Sequence, residues 1–185
     1  MELRHALRLG LHRALLLDGL QWALGEVREQ GARALDLGCG SGPYHGLLRQ
    51  KAEMVVGCDW HPAAPAFLVR GTADALPFSG DAFDLVLSTQ VFEHVPDPLA
   101  VAREAYRALR PGGTMVLSVP QMVALHEAPY DFFRYTEYGV RHVLAEAGFR
   151  GVEIRPLGGF WAMLAQQLEF RLLWDRGALA MAPSY

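Results

Sequence analysis

Cysteine is scarce in this sequence, long apolar runs are absent, and neither sign of charge dominates. The two cysteines, Cys39 and Cys58, are too few for a disulfide framework and predict a reduced, cytoplasmic setting. No spacing of Cys and His typical of a metal site occurs, so the sequence predicts no metal site. The net charge of −3 provides no basic field for nucleic acid, so no nucleic-acid partner is expected.

No run approaches the roughly 18 apolar residues of a membrane span, so stable membrane insertion is not expected. The longest apolar run near the start, residues 14–17, is also too short for a secretory signal. Leucines nevertheless recur at helical spacing through residues 3–16, with basic residues between them. This pattern predicts an amphipathic helix, packed on the domain or lying on a membrane surface.

The content of the sequence is typical of one folded domain. Its 185 residues are 51% hydrophobic, enough for a full core. No repeat, linker or low-complexity segment divides it, so residues 1–185 are predicted to form one domain. We divide that domain into a helical segment at 1–30, a core at 32–156 and a second helical segment at 157–185.

Strand and helix patterns alternate along the core. Strands are predicted at residues 32–37, 53–59, 67–70, 83–88, 114–119 and 151–155. Helices are predicted at residues 3–30 with breaks near Gly10 and Asp18-Gly19, and at 43–50, 97–109, 136–147 and 160–175. Asp97 and Thr136 are the predicted N-terminal caps of two of these helices, and Gly148 is a predicted stop. The alternation predicts an α/β fold with a doubly wound, mostly parallel sheet of six strands. In such sheets a ligand lies beyond the carboxyl ends of the strands.

A glycine-rich turn follows the first predicted strand. Gly38, Gly40 and Gly42 permit the backbone angles and the close approach that a ligand-binding turn before a helix requires. Dinucleotide dehydrogenases use a similar turn with the pattern G-x-G-x-x-G. Here the third glycine is one residue early and Pro43 takes its place, while Asp36 fits poorly in the apolar strand of a dehydrogenase.

Four motifs, taken in order, resemble those of one family. Residues 35–42 resemble motif I of the class I S-adenosylmethionine-dependent methyltransferases, and residues 71–78 are similar to the loop that contacts the adenine there. Residues 83–95 resemble motif IV with its following loop, and residues 109–114 resemble the turn before strand five. The resemblance covers roughly residues 32–156 and is closest to the small-molecule, type 11-like group that includes quinone-biosynthesis and sugar methyltransferases.

The resemblance implies a Rossmann-like fold and S-adenosyl-L-methionine as cofactor. It implies that Asp59 holds the ribose hydroxyls, that Asp74 contacts the adenine amino group and that the Ala75 N–H faces the ring. The full set of implied cofactor-binding residues is Asp36, Gly38, Cys39, Gly40, Asp59, Trp60, Asp74, Ala75, Thr89 and Gln90. Asp36 has the alternative role of bracing the glycine turn, and Asp59 and Asp74 that of loop caps.

A long segment after strand five, residues 121–138, is rich in aromatic and ionisable groups. Loops of this kind are often lids or binding segments, so we expect it to overhang the acceptor. His126 is the predicted general base, and Tyr130 and Tyr135 are candidates to position an acceptor. His94, on an earlier loop, is a candidate for the cofactor's amino-acid end or a substrate proton, or else holds its loop. The alternative for the whole segment is a packed aromatic plug with Asp131 and Arg134 paired.

The expected function is methyl transfer from S-adenosylmethionine to a small-molecule acceptor. The alternatives are a NAD-dependent oxidoreductase and a non-catalytic module that binds the cofactor.

The end of the chain departs from the family, whose sheet usually finishes with an antiparallel seventh strand. Apolar residues at 161, 164, 168 and 172 recur at helical spacing, so a helix is predicted instead, and the seventh strand is expected to be missing or atypical. We expect this helix to cover an open sheet edge or to dock on a second copy, making a homodimer. The alternative is that it packs beside the N-terminal helix.

Overall fold

The computed structural model describes residues 10–27, 32–60 and 68–175. The helices are α1 (Leu11–Glu26), α2 (His45–Leu48), α3 (Pro98–Ala108), α4 (Glu137–Ala147) and α5 (Phe160–Asp175). The strands are β1 (Ala32–Leu37), β2 (Ala52–Asp59), β3 (Leu68–Arg70), β4 (Phe83–Thr89) and β5 (Leu109–Ser118), with a 3₁₀ turn at Phe92–His94. Among these described helices, none has the length and apolar character needed to cross a bilayer. The part of the predicted first helix before residue 10 lies outside the described residues.

The strands form one sheet in the order β3-β2-β1-β4-β5, and every neighbouring pair is parallel. The chain therefore winds outward from β1 in both directions, which confirms the predicted doubly wound α/β class. At the carboxyl end of β1, Leu37 lies beside Cys58 of β2 and Ser88 of β4. Loops leaving these three strands consequently meet at one edge of the sheet.

Side chains of the central strands point alternately to the two faces of the sheet and pack into two separate hydrophobic cores. Leu35, Leu37 and Val86 pack with helices α3 and α4 on one face. Ala34 and Leu85 pack on the opposite face, against α1. The two-residue period of a strand explains why neighbouring residues point to opposite faces. Helices on both faces bury the strands, as a parallel sheet requires.

Two helices have the ends that the sequence predicts. Asp97 caps α3 by accepting a hydrogen bond from the Ala100 N–H at 3.0 Å. Thr136 caps α4 in the same way, accepting from the Gly139 N–H at 3.1 Å, and Gly148 ends that helix with φ 110°. These side-chain caps satisfy backbone donors that have no partner within the helix.

The predicted sixth strand is wrong, since residues 151–156 form no strand. Val152 and Ile154 still pack against the core, which accounts for their apolar pattern. The Arg141 Nη1 donates to the Val152 carbonyl at 2.5 Å, so a side chain takes the place of a neighbouring strand there. The alternation of apolar and polar residues indicates that this segment is half-buried, but it does not indicate which groups its backbone hydrogen-bonds to.

Two other boundaries differ from those predicted. The break near Asp18-Gly19 is wrong, because α1 runs without interruption from Leu11 to Glu26. The predicted helix over residues 43–50 is shortened to His45–Leu48. The predicted break at Gly10 is confirmed, since Gly10 is the cap of α1.

The predicted turn at residues 110–113 lies within β5 as a bulge. Phe83 pairs with Leu109, and Leu85, two residues later, pairs with Thr114. Five residue-to-residue steps along β5 thus lie opposite two steps along β4. Gly112, with φ 82°, allows the backbone to make this detour.

The predicted C-terminal helix is confirmed as α5, Phe160–Asp175. It contacts α1 within the same chain: Glu169 Oε2 accepts from the Leu11 N–H at 3.3 Å, and the Gln166 amide lies 3.0 Å from His12 Nδ1. Among the described residues, α5 thus packs beside the N-terminal helix α1, which is the alternative arrangement given above.

Candidate active site

The glycine turn after β1 is shaped by its two first glycines in different ways. Gly38 donates its N–H to the Cys58 carbonyl at 2.8 Å, which ties the turn to β2. A Cβ at Gly38 would lie 2.3 Å from Val91 Cγ2, so a side chain there would clash with the loop after β4. A Cβ at Gly40 would meet no atom within 4 Å, although φ is 50°. The second glycine therefore leaves open space at the edge of the sheet.

Asp59, at the carboxyl end of β2, reaches across to this turn. Its Oδ2 accepts a hydrogen bond from the Gly40 N–H at 2.8 Å. This contact fixes the position of the carboxylate relative to the open space beside Gly40. A charge-assisted bond to a backbone N–H is stronger than a neutral one, so it holds the turn and the carboxylate together.

Asp36 lies beneath the turn and is 1% exposed. Its Oδ2 has no hydrogen-bond partner among the described residues. Burial first, and then the charge of Asp59, raises the pKa of Asp36 from 3.8 to about 7. Burial likewise raises the pKa of the Cys39 thiol to about 12 and that of Cys58 to about 11, so neither is a thiolate nucleophile near neutral pH.

A cavity of about 290 Å³ opens beside the turn, between the sheet edge and α1. Of the predicted cofactor-binding residues, those that line it are Gly38, Cys39, Gly40, Thr89 and Gln90. The other lining residues come from α1 and from the segment between β1 and α2, and are His12, Arg13, Leu16, Ser41, Pro43 and Tyr44. Such a space at the carboxyl ends of β1 and β4 is where parallel sheets bind ligands.

Other predicted cofactor residues do not line this cavity. Asp36 and Asp59 adjoin it through the glycine turn. Asp74 and Ala75 are exposed on the loop after β3, where Ala75 N–H donates to the Thr72 carbonyl at 3.3 Å. Trp60 is also exposed, and its ring meets that of Tyr130 at 6.1 Å between centroids.

The three predicted catalytic residues come together where the segments after β4 and β5 meet. His94 Nδ1 lies 2.6 Å from the Tyr130 carbonyl. The His94 and His126 rings are 4.9 Å apart, edge to face. His126 Nδ1 lies 3.1 Å from the Ala124 carbonyl. Because a carbonyl only accepts, the tautomer with the proton on Nδ1 suits both contacts and places the lone pair on Nε2. Arg134 Nη2, which only donates, lies farther from His126 Nδ1, at 3.5 Å.

Glu93, next to His94 in the 3₁₀ turn, is fully buried. Neither of its carboxylate oxygens has a hydrogen-bond partner among the described residues. His94 Nε2 lies 3.8 Å from Glu93 Oε1 and 3.8 Å from Glu127 Oε2. Burial raises the pKa of Glu93. Glu93 is not among the site residues predicted from the sequence, because a single Glu in a loop belongs to no pattern that indicates a site.

An ion pair braces the loop that carries His126. The Arg134 guanidinium binds both oxygens of Asp131, at 2.6 and 2.8 Å, which is the pairing that the alternative of a packed aromatic plug predicts. This contact lowers the pKa of Asp131 to about 2. Asp131 Oδ2 also accepts from the His126 N–H at 2.9 Å, so the pair orients the histidine backbone.

Tyr135 does not have the role proposed for it from the sequence. It is buried, and its hydroxyl donates to the Phe92 carbonyl at 2.9 Å. That hydrogen bond joins the loop to the 3₁₀ turn and leaves the ring inside the core. Tyr130, by contrast, is exposed beside Trp60.

His12 lines the cavity and interacts electrostatically with His126. It is not among the site residues predicted from the sequence. Its Nδ1 lies 3.0 Å from the Gln166 amide of α5. Burial first, and then the charge of nearby His126, lowers the pKa of His12. No sequence signal distinguishes it, because the helical pattern of α1 places His12 among polar residues between leucines. Its inward position depends on α5, which is distant in sequence.

Comparison with known proteins gives consistent matches. A methyltransferase-domain profile matches residues 35–117. The ubiquinone biosynthesis O-methyltransferase of Cereibacter sphaeroides (strain KD131) is 36% identical over 174 residues, covering 75% of this chain and 70% of that protein. An uncharacterized methyltransferase of Mycobacterium leprae is 37% identical over 99 residues, which are 48% of this chain. This chain spans only 37% of that relative's length.

The solved structures agree on the fold. The crystal structure of an S-adenosylmethionine-dependent methyltransferase from Mesorhizobium loti superposes with a TM-score of 0.61. The match covers 86% of this chain and 94% of that one, at 23% identity. At so low an identity, this similarity shows the fold alone.

Proposed function

The chain belongs to the class I S-adenosylmethionine-dependent methyltransferases, and we propose that it transfers a methyl group from S-adenosyl-L-methionine to a small-molecule acceptor. The observation that carries the proposal is one cavity lined by the glycine turn, with the His94–His126 pair beyond His12. His12 lines the cavity and is close enough to His126 for the charge of His126 to lower its pKa.

The residues of the cavity fit the cofactor. Gly40 leaves space that a Cβ would fill, and Asp59 holds a carboxylate against the same turn. We propose that Asp59 binds the ribose, that Asp74 and Ala75 bind the adenine, and that Asp36 braces the turn from beneath. Gly38, Cys39, Gly40, Thr89 and Gln90 form the wall around the remaining part, and Trp60 lies at its edge. When bound, the cofactor supplies an already activated methyl group.

The acceptor site we propose lies at His126, His94 and Tyr130. With the Nδ1 proton held by a carbonyl, each neutral imidazole presents Nε2 to take a proton from an oxygen or nitrogen acceptor. The Asp131–Arg134 pair keeps His126 in place. The remaining task of the protein is alignment of the acceptor with the methyl group, which is a matter of proximity and orientation.

We propose a small acceptor in a reducing compartment such as the cytoplasm, and residues 1–185 as one domain. The small acceptor is supported by the acidic net charge of −3, which does not favour nucleic acid. The cytoplasmic setting is supported by two free, buried cysteines. A second copy of the chain is the partner we propose for α5, supported by the exposed side chains of Phe160, Trp161 and Leu168.

Titration calorimetry with S-adenosylhomocysteine and with NAD tests the cofactor. We expect the first to bind and the second not to. Asp59→Ala should weaken S-adenosylhomocysteine by about 1.5–3 kcal/mol, as for a hydrogen bond to a charged group. Glu146→Ala, which removes an exposed carboxylate from α4, is the control and should change nothing. Binding of NAD instead would favour the oxidoreductase.

Turnover with labelled S-adenosylmethionine on a panel of small acceptors tests the reaction. His126→Ala should lower turnover by about 10²–10⁴-fold with little change in cofactor affinity. His142→Ala, on the exposed side of α4, is the matched control. A chain that binds the cofactor without turning over any acceptor would instead be a non-catalytic binding module.

A further inference from the structure

Beside the His94–His126 pair lies a buried glutamate, Glu93, whose carboxylate makes no hydrogen bond among the described residues. Glu93 is fully buried, and both of its carboxylate oxygens lack a hydrogen-bond partner among the described residues. A buried carboxylate without a partner is costly, and buried charges are usually paired or bound to metals. Its neighbours in space are His94 and His126, which offer nitrogen ligands.

The three side chains converge on a common point. One ligand atom from each of Glu93, His94 and His126 lies within 4.8 Å of the other two. In the tetrahedral geometry that zinc prefers, ligands bonded at 2.0–2.1 Å lie about 3.4 Å apart. The three atoms would therefore have to approach one another by up to about 1.4 Å to bind one ion. Glu127 adds a further oxygen, 3.8 Å from His94 Nε2 and half exposed, at the open side of the cluster.

The surroundings of the two imidazoles suit ligation. The Nδ1 atoms of His94 and His126 each lie within hydrogen-bond distance of a backbone carbonyl, that of Tyr130 at 2.6 Å and that of Ala124 at 3.1 Å. Metal-binding histidines usually donate their second nitrogen in this way, which fixes the ring and the tautomer. The Arg134 charge nearby is already neutralised by Asp131, at 2.6 Å.

We propose that Glu93, His94 and His126 form a binding site for one divalent transition-metal ion, with Zn²⁺ as the reference ion. Two imidazoles and one carboxylate are a ligand set that zinc accepts, and three protein ligands leave a position open. In connection with the proposed function, which this role rests on, an ion there would hold an oxygen-bearing acceptor. Because the Nε2 lone pairs then bind the ion, the ion, and not His126, would promote loss of the acceptor's proton by lowering its pKa. His126 lies more than thirty residues after Glu93 and His94, so Cys and His spacing does not reveal the site.

The test is titration of the chelator-treated full chain with ZnCl₂ by calorimetry, and with CoCl₂ by visible absorption. The variants are His94→Ala, His126→Ala and Glu93→Gln, with His142→Ala as control. S-adenosylhomocysteine affinity and the circular dichroism spectrum of each variant report whether it is folded. Glu93→Gln keeps the shape of the buried side chain, so it is the variant to use if an alanine variant unfolds.

We expect one Zn²⁺ per chain and a Co²⁺ spectrum typical of nitrogen and oxygen ligands. Each ligand variant should weaken Zn²⁺ by more than the roughly 10–100-fold that loss of an outer-shell partner costs, while the control is unchanged. Failure of the parent chain to bind Zn²⁺, or equal affinity in parent and ligand variants, would overturn the site. Zn²⁺ binding without S-adenosylhomocysteine binding would keep the metal site and refute the proposed methyl transfer.

Discussion

Gly40 and Gly112 have left-handed backbones in different surroundings. Their φ angles are 50° and 82°, and a Cβ at either would meet no atom within 4 Å. Alanine at either position should cost the folded state a similar roughly 1–2 kcal/mol, the usual cost of this region for a residue with a Cβ. Only Gly40 lines the cavity, whereas Gly112 lies in the bulge of β5.

The matched pair Gly40→Ala and Gly112→Ala thus separates backbone strain from occupancy of the site. Both variants should lose similar stability in urea unfolding. Gly40→Ala should in addition weaken S-adenosylhomocysteine on the order of tenfold, about 1.4 kcal/mol, because its methyl group occupies space proposed for the ligand. Equal cofactor affinity in the two variants would place the cofactor elsewhere.

Asp36 is predicted to make stability depend on pH in an unusual direction. Its pKa is raised from 3.8 to about 7, so the folded state holds a proton that the unfolded state releases. The contribution of Asp36 to stability is therefore fully present below about pH 4 and falls as the pH rises to about 7. Paired acids behave in the opposite way.

Asp36→Asn removes this titration. The variant should match the parent near pH 4 and exceed its stability near pH 8 on the order of a few kcal/mol, at about 1.4 kcal/mol per pKa unit. Urea unfolding of both proteins without cofactor measures the difference across this range, where titrations common to both cancel. A difference that does not change with pH would mean that Asp36 is ionised in the folded protein throughout.

At the residue scale, sequence predicts best where a motif is local. Gly38 and Gly40 lie within one turn, and the residues around them already indicate a ligand-binding loop. His12 and Glu93 are recognised only after folding, because their neighbours lie on elements distant in the chain. The prediction that Tyr135 positions an acceptor is wrong for the same reason, because its hydroxyl donates to the Phe92 carbonyl, 43 residues away in the sequence.

At the scale of elements, the packing of α1 against the segment before α5 depends on one small residue. A Cβ at Gly19 would lie 2.3 Å from Leu157 Cδ2 and 3.1 Å from its Cδ1. Gly25, later in the same helix, has no atom within 4 Å of its Cβ position. Glycine at either position lowers helix stability by roughly 0.8–1 kcal/mol relative to alanine.

Gly25→Ala should consequently stabilise the protein by up to about 1 kcal/mol. Gly19→Ala should gain less than Gly25→Ala, or lose stability, because Leu157 must move away from α1. Thermal unfolding of the two variants beside the parent measures the difference. Equal gains in both would show that Leu157 rotates freely and that Gly19 is not needed for the contact.

Elements were predicted well where the signal is local and poorly where it depends on pairing. The caps Asp97 and Thr136 and the stop Gly148 lie within a few residues of the helices that they end. Residues 151–155 have an apolar pattern that suits a strand, yet Arg141 bonds the Val152 carbonyl instead. Whether an extended segment joins a sheet depends on hydrogen-bond partners that periodicity does not identify.

At the scale of the whole molecule, two observations bear on self-association. Helix α5 uses Gln166 and Glu169 to contact α1 of its own chain, so one face is already covered. Trp161 is 77% exposed, and Phe160 and Leu168 are also largely exposed. A patch of large apolar side chains on one helix is typical of an interface, where tryptophan often contributes most of the energy.

If this exposed face of α5 binds a second copy, the full chain should sediment as a dimer at tens of micromolar. Trp161→Ala should then raise the dissociation constant on the order of thirtyfold, since an interface tryptophan often contributes about 2 kcal/mol or more. Tyr138→Ala is the matched control, because Tyr138 is an aromatic residue of α4 that is 82% exposed outside this face. It should leave the dimer unchanged. A full chain that sediments as a monomer throughout this range would refute the homodimer and leave α5 with its contacts to α1 and to the Met122 carbonyl.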